Sequence, residues 1–263
     1  TLTGNTTTQS ILIDGDITLN LTIKDLTIYR KETTSNSLSA IALTDTAKLN
    51  LTLEGDSKLY GAYGGAGIGV PNGTTLCITE ESTGSLYAKG GNAYGGAAGI
   101  GAISPGWNMN YSSSNPQTRT CGYIEIAGGD VTAVGGTYKF RESEICGAAG
   151  IGGSYGASGG IINITGGTVH AIGGLYGAGI GGGSNGSVAR ITIEGGNVTA
   201  EGTGKGSRQP AAIGRGVDSF SNWNDVLPCG AIEIKGGKVT AKGNIGYGYV
   251  DCGEYPISGP NAK

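Results

Sequence analysis

Residues 178–202 read AGIGGGSNGSVARITIEGGNVTAEG, and this stretch decides the fold because close copies of it return along most of the chain. Each copy holds a small residue with Gly-Ile-Gly, a short apolar strand such as 191–193, a Gly-Gly pair, and a second strand such as 198–200. Self-similarity at about 30 residues is typical of a solenoid, whose units bury their apolar faces only by stacking on one another. The repeat therefore predicts an elongated scaffold, and function must lie in what is added to that scaffold.

We name the three parts of each copy strand A, strand B and strand C. Strand A is the Gly-Ile-Gly block, at 66–69, 98–101, 149–152, 178–181 and 212–214. Strand B lies at 49–53, 76–78, 124–126, 162–164, 191–193 and 232–234, and strand C at 86–88, 131–133, 169–171, 198–200 and 239–241. Apolar and polar residues alternate with period two, which sends one set of side chains inward and the other outward. The Gly-Gly pairs lie where the chain must turn a corner with positive φ.

These patterns predict an all-β fold, namely a single-stranded, right-handed parallel β-helix of about seven coils with three short strands each. The N-terminal stretch repeats the theme with less glycine, at 19–23, 26–28 and 40–42. We expect one domain over 1–263, with N-terminal coils at 10–60, Gly-rich coils at 61–253 and a short C-terminal tail at 254–263. Ile, Val and Leu should stack in ladders inside it, with Ala in the tight places.

Composition excludes several classes of protein. Glycine contributes 54 of the 263 residues, but the seven prolines are too few for collagen. A net charge of −3 without a Lys/Arg cluster gives no electrostatic footprint for nucleic acid or for an anionic membrane. No apolar run approaches the roughly 20 residues that a membrane span needs. Charged residues make up only 14%, so the surface is largely Thr, Ser, Asn and Gly, which favours an extracellular, cell-surface or secreted protein.

Insertions interrupt the repeat at two corners only. Loops 103–120 and 217–228 lie between strand A and strand B, and loop 137–145 lies between strand C and the next strand A. Long loops on a rigid scaffold are where binding residues concentrate. The only two tryptophans, Trp107 and Trp223, lie in the two A-to-B loops, three coils apart. We expect these loops to flank a shallow trough, unless each tryptophan only folds its own loop onto the helix.

Tyrosines add to this candidate site. The predicted floor of the trough is the outward face of strand A, where alternation leaves bare glycine and allows a ligand to approach closely. Aromatic rings beside a groove suit sugars, because their faces pack on C–H groups. The alternative is that each tyrosine fills a glycine-rich corner. The candidate ligand-binding residues are Trp107, Trp223, Tyr63, Tyr94, Tyr155 and Tyr176.

A catalytic alternative rests on charged residues near the same trough. A glycosidase needs two carboxylates about 5 to 10 Å apart, and a lyase needs a base with cations or calcium. The residues that could serve are Glu142, Glu144, Asp218, Asp225 and the cation Arg215. No Cys/His set has zinc-ligand spacing, no calcium nonapeptide is present, and His170 stands alone on an outward strand position. We therefore expect no cofactor and no metal, and a solvated His170.

The five cysteines leave their redox state open. Cys77 lies within strand B and is expected to be a small buried apolar residue. The spacing of the other four suggests two equivalent pairs, Cys121 with Cys146 and Cys229 with Cys252. A disulfide needs Cα atoms within about 7 Å, so the pairs can form only if loops fold back over strand A.

The run 49–69, LNLTLEGDSKLYGAYGGAGIG, and the later GGAAGIG, ITGGTVHAIGG and IEGGNVTAEG resemble Gly-rich right-handed β-helix repeats. Such repeats occur in large bacterial surface proteins and are often labelled carbohydrate-binding domains. The resemblance covers most of residues 10–250. It implies a non-catalytic module for glycan binding or adhesion, with a polysaccharide or host glycan as partner, inside a larger surface protein. A glycoside hydrolase or polysaccharide lyase is the alternative, and a structural stalk or spacer is the second.

Overall fold

The computed structural model describes residues 1–31, 38–92, 95–104, 120–140, 143–206, 208–217 and 229–246, with the backbone alone at 139–140 and 143–145. These residues form 24 β-strands and no helix. The first twelve are β1 (Leu2–Thr6), β2 (Ile11–Ile13), β3 (Thr18–Tyr29), β4 (Ile41–Leu43), β5 (Lys48–Glu54), β6 (Asp56–Tyr60), β7 (Ile68–Gly69), β8 (Thr75–Ile78), β9 (Ser85–Lys89), β10 (Ile100–Gly101), β11 (Tyr123–Ile126) and β12 (Asp130–Val134). The second twelve are β13 (Thr137–Phe140), β14 (Ser143–Gly147), β15 (Ile151–Gly152), β16 (Ile161–Ile164), β17 (Thr168–Leu175), β18 (Ile180–Gly181), β19 (Val188–Ile193), β20 (Asn197–Thr203), β21 (Ala211–Gly214), β22 (Cys229–Ile234), β23 (Lys238–Lys242) and β24 (Asn244–Gly246).

Each strand class of the repeat forms its own parallel ladder. Strand A stacks in the order β2-β4-β7-β10-β15-β18-β21-β24. Strand B stacks as β3-β5-β8-β11-β16-β19-β22, and strand C as β3-β6-β9-β12-β17-β20-β23. The A–B–C cycle is completed seven times, with β1 paired to β3 at the start and β24 as an eighth strand A. The predicted all-β parallel β-helix of about seven coils is confirmed, while its right-handed winding stays a prediction.

The core is a set of ladders in which equivalent residues of successive coils stack. On strand B, Ile124 pairs with Leu76 on one side and with Ile162 on the other, and Ile162 pairs with Ile191. All four side chains are fully buried. Burying one such side chain contributes about 1.5–3 kcal/mol, so the ladder stabilises each coil only through its neighbours.

The corner between strand B and strand C changes along the solenoid. In the first two coils it is a single left-handed residue, Asp25 or Gly55, and β3 runs through its corner as one strand. The Asp25 carboxylate accepts a hydrogen bond from the Asp56 N–H at 2.9 Å, which fixes this tight corner. The third corner, at 79–84, has no Gly-Gly pair, and the corners from the fourth coil on use the predicted pairs, whose second glycine has positive φ, as at Gly129 and Gly167. The predicted strands 19–23 and 26–28 are one strand, because the single residue Asp25 makes their corner within β3.

Strand A packs against the backbone of strand C, which corrects the expected open glycine face. A Cβ added at Gly99 would lie 2.5 Å from the Val134 nitrogen and 2.8 Å from the Ala88 oxygen. Gly150 and Gly179 repeat this contact one and two coils further along, with strand-C backbone atoms at 2.6 to 2.8 Å. These glycines are buried. The face lacks side chains because two backbones meet there, so it offers no open floor for a ligand.

The last glycine of the strand-A block has a different role. Gly101, Gly152, Gly181 and Gly214 all have φ between 128° and 138°. A Cβ on each would lie 1.9 to 2.2 Å from the carbonyl oxygen of the matching glycine in the next coil. Both the backbone conformation and the spacing of the coils therefore require glycine at this position.

Candidate functional site

Three tyrosines form a row on the outer face of strand C, at the N-terminal end of the solenoid. We call Tyr29, Tyr60 and Tyr87 the tyrosine stripe. The ring centroids of Tyr29 and Tyr60 lie 5.2 Å apart with planes tilted by 55°, and those of Tyr60 and Tyr87 lie 5.5 Å apart with a tilt of 44°. Tyr29 is 51% exposed, and Tyr60 and Tyr87 are half-buried. The stripe presents an aromatic surface that crosses three successive coils.

Strand alternation places these rings outside. In β6, Ser57 and Leu59 are buried, so Lys58 and Tyr60 point outward. In β9, Leu86 and Ala88 are buried in the same way and send Tyr87 outward. Tyr29 is directly opposite Tyr60 in the ladder, whereas Tyr87 lies opposite Lys58 and contacts Tyr60 diagonally. The rigid ladder thus holds the three rings in a fixed arrangement.

The surroundings of the stripe supply hydrogen-bond donors. Burial, and then the neighbouring Tyr60, raise the pKa of the Tyr87 hydroxyl, so this group stays protonated and can donate at neutral pH. Lys58 lies opposite Tyr87, and Lys89 lies opposite Tyr60. Flat apolar rings flanked by hydroxyl and ammonium groups can pack on the C–H face of a ring and bond its polar edge.

A second surface feature is a groove of about 590 Å³ on the outer face of the first strand-B coils. Its lining includes Asn20, Asn50, Cys77, Glu80, Glu81 and Glu125. The pKa of the Cys77 thiol is raised by burial and then by the nearby Glu125 and Glu81 carboxylates. Hydrogen bonds from its own backbone and from Thr79 lower the pKa of Glu81, opposite to the raised pKa that a general acid needs. The groove is acidic, but Glu81 is a poor proton donor.

Most of the candidate residues predicted around the trough lie outside the described part of the chain. These are Trp107, Trp223, Tyr94, Glu142, Asp218 and Asp225. Glu144 lies in β14, where the structure describes the backbone only. For all of these residues the predicted roles stay predictions.

The three described tyrosines of that prediction lie at turns of the solenoid. Tyr63 and Tyr176 share a left-handed backbone, with φ of 56° and 64°, at matching turns before strand A. Tyr155 lies over Gly95, where an added Cβ would be 2.3 Å from the Tyr155 Cβ. Its hydroxyl accepts a hydrogen bond from the Asn185 amide at 3.4 Å. Tyr155 thus covers a glycine corner, and the predicted role of the three tyrosines in ligand binding stays a prediction.

Arg215 and the described cysteines of the predicted disulfides lie against the strands of the solenoid. Arg215 follows β21 and donates its backbone N–H to the Gly246 carbonyl at 2.9 Å. Burial raises the pKa of the Cys229 thiol, and the positive charge of Arg215 offsets part of that rise. The proposed disulfide between Cys121 and Cys146 is wrong, because both are free thiols. Cys121 belongs to the core at the start of strand B, whereas Cys146 lies on the β13–β14 hairpin at another corner. The expected pair of Cys229 with Cys252 involves a residue outside the described ranges.

Two further expectations about single residues need correction. Cys77 is half-buried on the outer face of strand B, where it pairs with Asn50 and Glu125, and is not an inward apolar residue. His170 does point outward from strand C, but its Nε2 is buried and has no hydrogen-bond partner. It is therefore only partly solvated.

Sequence reasoning missed the tyrosine stripe. The prediction concentrated on the long loops and on strand A, and it did not consider the outward side chains of strand C. The signal was present in the alternation of β6 and β9, whose tyrosines occupy the polar, outward positions. Single outward aromatic residues are common, whereas several that adjoin one another form the kind of patch that interaction sites use.

Within the residues that the structure covers, no three His, Cys, Asp or Glu side chains form a group suited to a metal ion. The same residues contain no helix of the length and hydrophobicity that crossing a membrane requires.

Comparison with known proteins agrees with the fold. The family model described as a beta helix repeat matches residues 124–155, 162–184, 191–214 and 232–249. These four matches coincide with the coils that begin at β11, β16, β19 and β22. Neither the comparison with curated proteins nor that with solved structures gave a match. The chain is therefore a parallel β-helix repeat domain.

Proposed function

We propose that this domain is a non-catalytic glycan-binding module, used for adhesion or attachment by a bacterial surface or secreted protein. The observation that supports the proposal is the tyrosine stripe: three aromatic rings in a row, outside, on a rigid scaffold. Its partner is a polysaccharide or a host glycan, and the domain is one part of a larger protein. The resemblance to repeats that carry a carbohydrate-binding label points the same way.

The rigidity of the scaffold favours binding by this surface. β6 and β9 are each hydrogen-bonded to the strands of the coils before and after them, and β3 is hydrogen-bonded to β1 and β6. A surface that is already ordered loses little conformational entropy when it binds, so modest contacts give measurable affinity. Tyrosine adds large, rigid contact area with only two side-chain torsions.

A second candidate function, a carbohydrate-active enzyme, has the acidic strand-B groove in its favour. Glycoside hydrolysis needs one carboxyl group with a raised pKa and a second that stays ionised. The lowered pKa of Glu81 suits only the second role. The groove therefore supports catalysis less well than the stripe supports binding.

The test is a binding panel with immobilised cellulose, xylan, pectin, chitin, starch and mucin glycans. We expect at least one of them to retain the domain, and Tyr60→Ala to weaken that binding about tenfold or more, as for aromatic anchors elsewhere. Tyr123→Ala is the matched control, because Tyr123 is a half-buried outward tyrosine on strand B, away from the stripe.

The same incubations separate the alternatives. Reducing ends or unsaturated uronates released from any polymer, and lost in Glu81→Gln or Glu125→Gln, would replace the proposal with the enzyme. A domain that binds nothing in the panel would instead be a stalk or spacer.

A further inference from the structure

Two outward rows of strand C lie side by side on the solenoid. Tyr29 and Tyr60 belong to one row, with Lys89 as its next member. Tyr87 belongs to the other row, which continues through Thr132, His170 and Thr199 to the last strand C. The ring contact between Tyr60 and Tyr87 joins the two rows. We call the joined path the strand-C track; its members are Tyr29, Tyr60, Tyr87, Thr132, His170, Thr199 and Thr240.

The chemistry of the track changes along its length. The first three coils present aromatic rings, and the last four present hydroxyls and one imidazole, which donate and accept hydrogen bonds. Val134 and Ile172, two residues beyond Thr132 and His170 on the same strands, are half-buried and give the polar part an apolar border. A sugar needs both kinds of contact, apolar for its C–H face and polar for its hydroxyls.

His170 marks a position where a hydrogen-bond partner is missing. Its Nε2 is buried, and the structure gives it no partner. Buried polar atoms without a partner are uncommon, and each one calls for an explanation. Because this nitrogen has almost no accessible surface, a ligand hydroxyl on the track would supply the partner once the imidazole ring turns outward.

The spacing of the track restricts the shape of the ligand. Neighbouring parallel strands are about 4.8 Å apart, so six steps between seven coils span on the order of 30 Å. The ring distances of 5.2 and 5.5 Å are close to this step. A polysaccharide with equatorial β-1,4 linkages is an extended ribbon that advances by a similar distance for each sugar. An α-1,4-linked glucan curls and cannot follow a path extended over seven coils.

We propose that the strand-C track binds one extended β-1,4-linked polysaccharide chain lying along the solenoid axis, with about one sugar per coil. This inference rests on the proposed glycan-binding function and adds the shape, direction and length of the ligand. His170 is a positioning residue for the sugars beyond the tyrosines.

The experiment is calorimetric titration with cello-, xylo- and chito-oligosaccharides of two to eight sugars, and with malto-oligosaccharides of the same lengths. We expect at least one extended series to bind, with Kd falling at least tenfold between three and six sugars and levelling off near seven. Maltohexaose should bind at least tenfold more weakly than the matching extended hexasaccharide. His170→Ala should leave the trisaccharide Kd unchanged, since the tyrosines hold it, and should remove most of the gain at six sugars.

Controls keep the outcomes distinct. Thr199→Val, which removes one hydroxyl at equal size, should lower hexasaccharide affinity but not trisaccharide affinity, whereas Thr192→Val on the strand-B face should change neither. A Kd that stops improving at three sugars, equal binding of maltohexaose, or a hexasaccharide Kd unchanged in both His170→Ala and Thr199→Val would overturn the track. Those results would leave the stripe and the proposed function intact if Tyr60→Ala still abolishes binding to the polymer panel. Absence of binding to every oligosaccharide and every polymer would overturn both proposals.

Discussion

Strand A and strand C recur in every coil, but strand A is mostly a buried two-residue strand, whereas strand C is longer and alternates buried and outward residues. On strand A, Gly99 and Gly150 have no side chain, and the backbone of strand C can therefore approach within contact distance. On strand C, Tyr60 and Tyr87 place large rings outside, where no backbone approaches. In this solenoid glycine therefore marks the place where backbone meets backbone, and the side chains available to a ligand lie on the other face.

The largest expected effect comes from filling the contact between the two strands. In Gly150→Val, the new Cβ would lie 2.6 Å from the Ile172 nitrogen, which is backbone and cannot rotate away. We expect a loss of about 3 kcal/mol or more in the free energy of unfolding. Circular dichroism during thermal unfolding measures it, with Thr132→Val on the outer face of strand C as the control. A melting temperature equal to that of the parent protein would mean that the contact is not tight.

Most of the fold, but little of this contact, could be predicted from the sequence. Period-two alternation identified Ile124 and Ile162 as ladder partners, since each repeat shows the same pattern. The role of Gly150 could not be predicted in the same way, because its neighbour Ile172 lies two strands later in the chain and in another sheet. Alternation tells which side a residue faces, but not how close the opposite wall is.

The tyrosine stripe was missed for a related reason. Trp107 and Trp223 attracted attention because tryptophan is scarce and the loops are long, whereas Tyr60 and Tyr87 are unremarkable within their own repeats. Their proximity follows from a diagonal contact between two coils, since Tyr87 is in register with Lys58 and not with Tyr60. The register of the ladder is needed before that pair can be seen.

The second prediction concerns backbone conformation at the end of strand A. Gly152 has φ of 128°, and its added Cβ would lie 2.1 Å from the Gly181 oxygen. Gly152→Ala should therefore cost about 2–3 kcal/mol of stability. Gly156→Ala is the matched control, because Gly156 has φ of 67° with nothing within 4 Å and should cost only about 1 kcal/mol. Equal losses of stability in the two variants, measured by denaturant titration, would show that the positive φ alone sets the cost and that the contact with the Gly181 oxygen does not.

A third prediction tests the burial of the Cys146 thiol through the pH dependence of stability. Burial raises the pKa of Cys146 to about 12, above an unfolded value near 8.5. The thiol therefore contributes stability that is fully present below about pH 8.5 and is lost as the pH rises towards 12. We expect this thiol alone to lower the free energy of unfolding by about 2 kcal/mol between pH 8 and pH 10, in addition to the loss from Cys121, whose pKa burial also raises. The fall in Cys146→Ala should be smaller by that amount. The same pH dependence in both proteins would contradict the burial of this thiol.

The smallest expected effect is the loss of protein stability when the tyrosine stripe is interrupted. Tyr60 contacts Tyr29 and Tyr87 on the surface, and cross-strand pairs of this kind contribute about 0.2–1 kcal/mol each. Tyr60→Ala should therefore lower the free energy of unfolding by less than about 2 kcal/mol, while abolishing most glycan binding. A stability loss as large as that of Gly150→Val would make the stripe a structural feature.

Hydroxyl-radical footprinting of the intact domain, with and without the polysaccharide that it retains, tests the contrast between the two faces most directly. The side chains to follow are the tyrosine stripe and the tryptophans of the two A-to-B loops. We predict that the polysaccharide protects Tyr29, Tyr60 and Tyr87 from oxidation and leaves Trp107 and Trp223 unchanged. Protection of the two tryptophans with unchanged oxidation of Tyr60 and Tyr87 would contradict the account, and would place the binding site on the strand-A side.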